Sequence, residues 1–373
     1  MVGYAVRSPR HPHGSAARRS WGCWRRTSGA LRLHRSAESA NSGIHLGRHG
    51  GGRDNPFDAA MQAILTVVFP VFAIIAAGYL FGRRGLLGPA SSEALNDFVY
   101  WVALPAFLFR AMATVDIAVV LNGPFIAGFL GGVVIIWAVA IVVARVVFGC
   151  GQPEATLHGM NGVYGNSGYM GIPLALAAFG PAAAVPTIII VVLNSAVMFP
   201  LAVVLIEWGR ADKAGPVSVM RHLVRALVRN PLLVAPLAGI AWAAMGWTLP
   251  VPLERFTGLL GAAAGPCALF SIGLFMVGKQ LSHGKAEVGA MTVTKLVVHP
   301  LVTAAMVFLV FPTDPLWATV AVLIAALPTG TGGFVLAQTY GLYVLRTSSV
   351  TLVTTVISVA TISFFFLLFP PLF

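Results

Sequence analysis

The sequence predicts an all-α polytopic membrane protein with ten transmembrane helices arranged as two inverted five-helix repeats. Of its 373 residues, 57% are hydrophobic and only 10% are charged, whereas a soluble domain of this size needs a charged surface. Apolar runs of about 20 residues recur from Met61 onward, and each is long enough to cross a hydrocarbon core of roughly 30 Å. The third observation is that lysine and arginine concentrate after every second apolar run.

Residues 1–60 differ in composition from the rest of the chain. They hold ten of the 24 basic residues against three acidic ones and show no apolar periodicity, so we expect this segment to be disordered. An arginine-rich, acid-poor leader is also compatible with a transit peptide. We favour translation that begins at Met61. Because most of the net charge of +12 belongs to this segment, we expect no nucleic-acid partner.

Ten apolar spans lie between charged or Pro/Gly-marked loops. They run near residues 62–81, 94–113, 123–148, 157–179, 183–207, 230–248, 256–277, 287–311, 316–340 and 347–370. Lysine and arginine concentrate after the odd-numbered spans, whereas the loops after the even-numbered ones hold only Arg110 and Arg255. The positive-inside rule therefore places the central loop in the cytoplasm and both termini outside, in a cell (inner or plasma) membrane. Ten arginines just before span 1 would oppose this orientation, which supports a start at Met61.

The central loop divides the chain into a first repeat at 61–207, a linker at 208–229 and a second repeat at 230–373. The linker carries apolar residues at helical spacing with arginines interleaved: Met220, Leu223, Val224 and Leu227, with Arg221, Arg225 and Arg229. This pattern predicts a short amphipathic helix on the membrane surface. Because five spans precede the linker and five follow it, the two halves begin on opposite sides of the membrane and have inverted topology.

Spans 4 and 9 each contain a cluster of glycine, proline and small polar residues in mid-span. Span 4 reads GMNGVYGNSGYMGIPLALAAFG and span 9 reads LIAALPTGTGGFVLAQTYG. Such residues break the helical hydrogen-bond ladder, and a break is tolerated only where it faces protein or a water-filled cavity. Matching breaks in inverted repeats point to a transporter site. The alternative is close helix packing through Gly165, Gly168 and Gly171.

The breaks define the candidate binding groups. Half-helix ends offer N–H groups and carbonyls to ions at mid-membrane, and Asn166, Ser167, Thr329 and Thr331 add side-chain donors and acceptors there. Spans 2 and 7 also share an interior proline, Pro105 and Pro266.

Ionisable and amide side chains within the spans are candidates for coupling to an ion. Lys295 and His299 stand one turn apart in span 8 and could carry a proton or balance an anionic substrate. Alternatively, Lys295 snorkels to the headgroups while His299 stays neutral. Asn194 in span 5 fits either substrate contact or an interhelical hydrogen bond.

Motifs of other function classes do not occur in the sequence. There is no GxxxxGK[ST] loop, nucleophile elbow or HExxH motif, so we expect neither ATP-driven transport nor an enzyme. The three cysteines, Cys23, Cys150 and Cys267, are far apart in sequence, and we expect no metal site and no cofactor.

Four segments resemble the auxin efflux carrier family, which includes plant auxin exporters and bacterial carriers linked to malonate, malate and related acids. They are GNSGYMGIPLALAAFG, ALPTGTGGFVLAQTYG, LNDFVYWVALPAFLFRAMAT and TKLVVHPL. The resemblance, which covers residues 61–373, implies a sodium/proton antiporter-like fold in which spans 4 and 9 cross near Pro173 and Pro328. It also implies a scaffold of spans 1, 2, 6 and 7, an elevator-like shift of the other spans, a carboxylate bound near Asn166, and a homodimer.

We therefore expect a secondary transporter for small organic anions such as malonate or malate, coupled to protons, to sodium or to neither ion. The expected substrate-binding residues are Asn166, Ser167, Gly168, Pro173, Pro328, Thr329, Gly330, Thr331, Pro105 and Pro266. Lys295, His299 and Asn194 are the candidates for coupling. The alternatives are a membrane receptor that binds a small acid without moving it, and a sodium/proton antiporter, which the lack of a mid-membrane acid pair disfavours.

Overall fold

The structure is a computed structural model that describes residues 61–62, 64–210, 215–279 and 284–370. The predictions for residues 1–60 lie outside these described residues. All of the described residues belong to the unit Gly52–Phe373. They are helical almost throughout, and the only β-structure among them is one isolated bridge.

The described residues form fourteen helices, several of which combine adjoining α- and π-helical turns. In chain order they are α1 (Ile64–Arg83), α2 (89–113), α3 (Ile117–Val120), α4 (Gly123–Val146), α5 (Gln152–Val163), α6 (Ser167–Phe179), α7 (Pro181–Gly209), α8 (Pro216–Arg229), α9 (Pro231–Ala244), α10 (Val251–Met276), α11 (Lys285–Val310), α12 (Pro315–Ala326), α13 (Gly332–Tyr340) and α14 (Val344–Leu368).

Six of these helices, α1, α4, α7, α10, α11 and α14, are long and apolar enough to cross a membrane. The end of α8 and α9 pass the same test together as a pair bent by 64°, and α6 and α12 are shorter apolar helices. A helix therefore lies at each of the ten predicted spans. The predicted all-helical membrane protein is confirmed, while the number of crossings and the inverted repeat stay predictions.

Side-chain caps and proline fix where several helices begin. The side chains of Asp116, Asn122, Asn230 and Asp314 each accept a hydrogen bond from a backbone N–H in the first turn of the helix that follows. These caps satisfy donors that have no intrahelical partner. In three of these helices, α4, α9 and α12, proline lies in the first turn, where its missing N–H costs nothing.

Helices α1, α2, α9 and α10 pack together as one group, and glycine brings their backbones into near contact. A Cβ placed on Gly78 of α1 would lie 2.1 Å from the carbonyl oxygen of Phe270, and one placed on Gly273 of α10 would lie 2.0 Å from that of Ile75. Gly239 allows the same approach of α9 to α2. Because no side chain separates these backbones, the four helices fit closely.

A second packing group contains α4, α5, α6, α7, α11, α12, α13 and α14. Helix α4 packs along α5, where the indole Nε1 of Trp137 donates to the carbonyl of Thr156 at 3.2 Å. Helix α11 packs on α4 and α12, and α14 packs on α11. The largest cluster of buried apolar side chains lies mainly among these helices. This group carries both helix breaks described next.

Candidate functional site

The two predicted helix breaks lie side by side. Residues 164–166 separate α5 from α6, and residues 327–331 separate α12 from α13. Gly165 and Thr329 pair as an antiparallel bridge. The Asn166 N–H donates to the Pro328 carbonyl and the Gly330 N–H donates to the Tyr164 carbonyl, both at 2.9 Å. We call this paired segment the crossover. Its hydrogen bonds replace part of the helical ladder that the breaks remove.

Glycine is required at the crossover because two backbones touch there. A Cβ on Gly330 would lie 2.9 Å from the carbonyl oxygen of Gly165, and a Cβ on Gly165 would lie 2.9 Å from that of Ile324. Backbone oxygens cannot move aside as a flexible side chain can. Gly165 and Gly330 therefore allow the two backbones to approach each other closely at the breaks. This contact is a further role beside the helix packing that the sequence left open as an alternative.

Two helices begin at the crossover and point their N-termini into it. In α6, the N–H groups of Met170 and Gly171 bond back to the Asn166 carbonyl. In α13, the Val335 N–H bonds to the Thr331 carbonyl. Among the described residues, the N–H groups of Gly168 and Gly332, nearer the breaks, have no backbone acceptor. Two partly positive helix ends thus meet at one place.

A cavity of ≈ 870 Å³ opens at these helix ends. Five predicted residues line it: Asn166, Ser167, Gly168, Gly330 and Thr331. The facing wall includes Asn96, Asp97 and Tyr100 of α2. The side chain of Asn166 does not cap its own helix. Within the described part of the chain its amide makes no hydrogen bond, so both its donor and its acceptor are free for a ligand.

The other five predicted substrate-binding residues do not line the cavity. Thr329 is fully buried, with its N–H donating to Thr354 Oγ1 at 3.0 Å and its hydroxyl donating to the Asn161 carbonyl at 2.8 Å. Pro328 contributes its carbonyl to the crossover. Pro173 packs against α10, where a Cβ on Gly265 would lie 3.2 Å from it. Pro105 and Pro266 lie within α2 and α10. Of these five residues, Pro328 and Thr329 belong to the crossover itself.

Lys295 and His299 are buried in α11 beneath the crossover, with exposed fractions of 0% and 1%. The Lys295 Nζ donates to the carbonyl of Ala325 at the end of α12 and lies 3.2 Å from His299 Nδ1. A Cβ on Gly165 would lie 3.4 Å from this Nζ. The snorkelling alternative for Lys295 is therefore wrong. Its amino group instead lies at the carbonyl end of a half-helix, where backbone acceptors lack an intrahelical partner.

Asn194 is also buried and joins α7 to the start of α6. Its Nδ2 donates to Ser167 Oγ at 3.0 Å, so it takes the interhelical hydrogen-bond role that was one of its two alternatives. Asn194 fixes a residue that lines the cavity while lying outside the lining itself.

One hydrogen bond across the cavity was not predicted from the sequence. The Tyr169 hydroxyl of α6 donates to Asn96 Oδ1 of α2 at 2.8 Å, and thereby connects the two packing groups. On α2, Tyr100 donates to Asn230 Oδ1 at 3.3 Å. The signal in the sequence was the polar set Asn96, Asp97 and Tyr100 at the start of span 2, since residues four apart share one face of a helix.

A second polar cluster lies away from the cavity, at the turn between α13 and α14. Tyr343 has a left-handed backbone with φ of 60°. Its hydroxyl donates to Glu287 Oε2 at 3.0 Å and lies 3.1 Å from His158 Nδ1. Arg346 pairs with the same Glu287 carboxylate and lies over the Tyr343 ring. Burial and the adjacent Glu287 raise the pKa of the Tyr343 phenol, so it stays a neutral donor.

We expect Tyr343→Phe to destabilise the protein by about 1–2 kcal/mol, because it removes one hydroxyl that contacts both Glu287 and His158 and leaves buried groups unsatisfied. The measurement is the apparent melting temperature of the purified protein in detergent. Tyr79→Phe is the matched control, since within the described residues the Tyr79 hydroxyl makes no hydrogen bond. Equal melting temperatures for the two variants would contradict the structural role of the Tyr343 hydroxyl.

Metal ligands do not cluster in the described part of the chain, where no group of three or more His, Cys, Asp or Glu side chains could hold an ion. The crossover offers N–H donors from two helix ends and one free amide, and no carboxylate lies among its residues. Such donors can hold an anion.

Comparison with known proteins places these features in context. Residues 63–366 match the family described as "Membrane transport protein". A Rhizobium meliloti protein named "Putative malonate transporter" is 35% identical, over 81% of this chain and 95% of its own length. "Auxin efflux carrier component 8" of Arabidopsis thaliana is 24% identical, over 75% and 90% respectively. The mouse "Lysosomal cholesterol signaling protein" is 24% identical, over 68% of this chain but 31% of its own length.

Proposed function

Because the chain belongs to the membrane transport protein family, to which the auxin efflux carriers also belong, it is a membrane-embedded multi-pass transporter, and we propose that it carries small organic anions such as malonate, malate or other carboxylates. The observation that carries the proposal is the unpaired Asn166 amide beside two half-helix N-termini in one cavity. The name of the Rhizobium relative supports the same class of substrate.

A carboxylate fits this site chemically. Its two oxygens accept hydrogen bonds, and the crossover supplies free backbone N–H groups and the Asn166 amide. The cavity lining also contains Asp97, Glu207 and Arg229, so the attraction for an anion does not come from the net charge of the lining. It comes from donors at short range, which hold a substrate without binding it so tightly that it cannot leave.

We propose that the chain crosses the membrane ten times as two inverted repeats. In this arrangement α5 with α6, and α12 with α13, are the two broken spans, and α8 lies outside the spans. The cavity reaches Glu207 at the end of α7, α8 itself and Tyr340 at the end of α13. The positive-inside rule assigns all three to the cytoplasm. With the carrier in the plasma membrane, the described conformation would then be open to the cytoplasm.

The two packing groups suit an elevator-type shift. Helices α1, α2, α9 and α10 would form the scaffold, through which a homodimer could also assemble, and the group that carries the crossover would move. Their interface is apolar: Leu104, Leu108 and Ala268 from one group meet Ile172, Ile188 and Val191 from the other. An interface of this kind has few directional bonds to break when one surface slides past the other.

Flux through proteoliposomes tests the proposal. The purified chain is expected to show saturable uptake or efflux of labelled malonate or malate, while imposed proton and sodium gradients reveal the coupling ion. Saturable binding without flux, in vesicles that contain folded protein, would favour a receptor. Exchange of sodium for protons without any organic acid would favour the antiporter. Lactate and indole acetate, tested alongside, separate dicarboxylates from monocarboxylates.

A further inference from the structure

Helix α8 has a geometry that the transport proposal does not use. Its segment Leu223–Arg229 is bent by 64° from the following helix α9. If α9 crosses the membrane, α8 runs steeply across that direction. An apolar helix adjoins α8 in the chain on each side, α7 before it and α9 after it. Because both of these helices cross the membrane in the proposed arrangement, α8 lies close to the bilayer surface.

One face of α8 covers the cavity. Leu223, Ala226 and Leu227 line the cavity, and Leu223 is buried. Residues three and four apart lie on one helical face, so these side chains form a continuous apolar strip in the cavity wall. A movement of α8 therefore changes the shape of the cavity on this side.

The remainder of the helix carries two exposed stripes. Met220, Val224 and Val228 are spaced by four residues and have exposed fractions of 61%, 51% and 65%. Arg221 and Arg225 form the adjacent stripe and are also exposed, and Arg229, at the same spacing, is exposed and lines the cavity. Among the described residues, none of these three arginines forms an ion pair. Outside the cavity lining, the helix thus presents uncovered apolar side chains beside two cations, Arg221 and Arg225, that form no ion pair with described residues.

This combination matches the headgroup region of an anionic bilayer. Apolar side chains at the edge of the stripe can enter the acyl boundary, while the guanidinium groups bind phosphate. A soluble acidic partner would pair with the arginines but would leave the exposed apolar side chains uncovered. The bilayer satisfies both stripes together.

We propose that α8 binds anionic phospholipid headgroups through Arg221 and Arg225 and thereby sets how closely Leu223 and Leu227 cover the cavity. Binding of this kind weakens as salt rises, because exposed charges are screened. Arginine near an anionic surface contributes enough that loss of two such residues weakens the contact roughly 30-fold. The control of cavity access rests on the proposed transport function, whereas the lipid contact does not.

Amide hydrogen exchange of residues 220–229 tests the lipid contact directly. The full chain is placed in nanodiscs of phosphatidylcholine alone or mixed with phosphatidylglycerol. We expect slower exchange with phosphatidylglycerol, loss of most of that protection in the double variant Arg221→Gln with Arg225→Gln, and retention in the control Arg83→Gln with Arg84→Gln. Equal exchange in both lipids, or protection that survives in the α8 variant, would overturn the proposal.

Transport in matched liposomes tests the link to the cavity. We expect the flux of the unaltered chain and of the Arg83/Arg84 control to depend on the phosphatidylglycerol content, and the flux of the α8 variant to be independent of it. Lipid-dependent exchange combined with lipid-independent flux in the unaltered chain would overturn the control of access. Absence of flux in every sample would instead count against the proposed function, since the exchange measurement needs no substrate.

Discussion

Lys295→Met is expected to reduce saturable transport by roughly 10-fold or more, the factor that corresponds to about 1.4 kcal/mol in the activation free energy, while leaving a folded protein in the membrane. Methionine matches the length of the lysine stem but cannot donate to the Ala325 carbonyl. Loss of that bond leaves a buried acceptor unsatisfied at a cost of about 1–3 kcal/mol, but replacement of a buried polar group by an apolar side chain offsets part of this cost. We therefore expect stability to change little and the crossover to lose the amino group that faces the end of α12.

The comparison that tests this explanation uses a second lysine of the same helix. Lys285 is exposed at the start of α11, and Lys285→Met should leave flux and melting temperature unchanged. Flux in the Lys295→Met carrier comparable to that of the Lys285→Met carrier would show that the ammonium only fills space. His299→Gln extends the test to proton coupling, because glutamine keeps a polar side chain but cannot take up or release a proton. If proton coupling runs through this pair, the pH dependence of flux disappears in one or both variants.

Asn166→Ala is expected to raise the KM for a carboxylate substrate by roughly 10- to 100-fold, because a hydrogen bond to a charged group contributes about 1.5–3 kcal/mol. The side chain has no hydrogen bond with any described residue, so its removal should not unsatisfy another buried group. Expression and melting temperature should therefore remain close to those of the unaltered chain. The measurement is the concentration dependence of labelled malonate uptake in proteoliposomes.

Gln338→Ala provides the matched control for this prediction. Gln338 is an exposed amide on α13 that lies outside the cavity lining, so its loss removes the same chemical group from one of the two half-helices without touching the site. An equal change in KM for both variants would rule out a specific role for Asn166. If Asn166→Ala lowered expression and flux in parallel, Asn166 would have a role in folding and not in substrate binding.

The sequence predicted the helical spans and the breaks well, because both follow from local chemistry. Apolar length sets a span, and glycine with proline sets a break, whatever the rest of the chain does. The family resemblance implied that spans 4 and 9 cross near Pro173 and Pro328 but did not indicate the pairing of Gly165 with Thr329, since no local pattern reports which backbone a break will meet. The position of Lys295 was open for the same reason. Its spacing from the end of span 8 allowed both snorkelling and burial, and only the position of α12 decides between them.

Residues that join separate parts of the chain were the hardest to predict. Tyr343 acts through partners on α5 and α11 that are more than 50 residues away, and nothing in the turn at 341–343 indicates them. Asn96 was visible as a polar residue at the start of a span, but its partner Tyr169 lies on the far side of the cavity. Periodicity predicts which residues share a face of one helix, but it does not predict which residues of other helices they contact.

The Tyr169 to Asn96 hydrogen bond has a kinetic consequence if the two helix groups slide. It joins residues on opposite sides of the moving interface, so it exists in one conformation and must break on every transport cycle. A hydrogen bond of this type contributes about 0.5–1.5 kcal/mol, which corresponds to a rate factor of roughly 2 to 10 when it appears in the activation free energy. Under the proposed sliding mechanism, this one phenolic hydroxyl would therefore slow turnover.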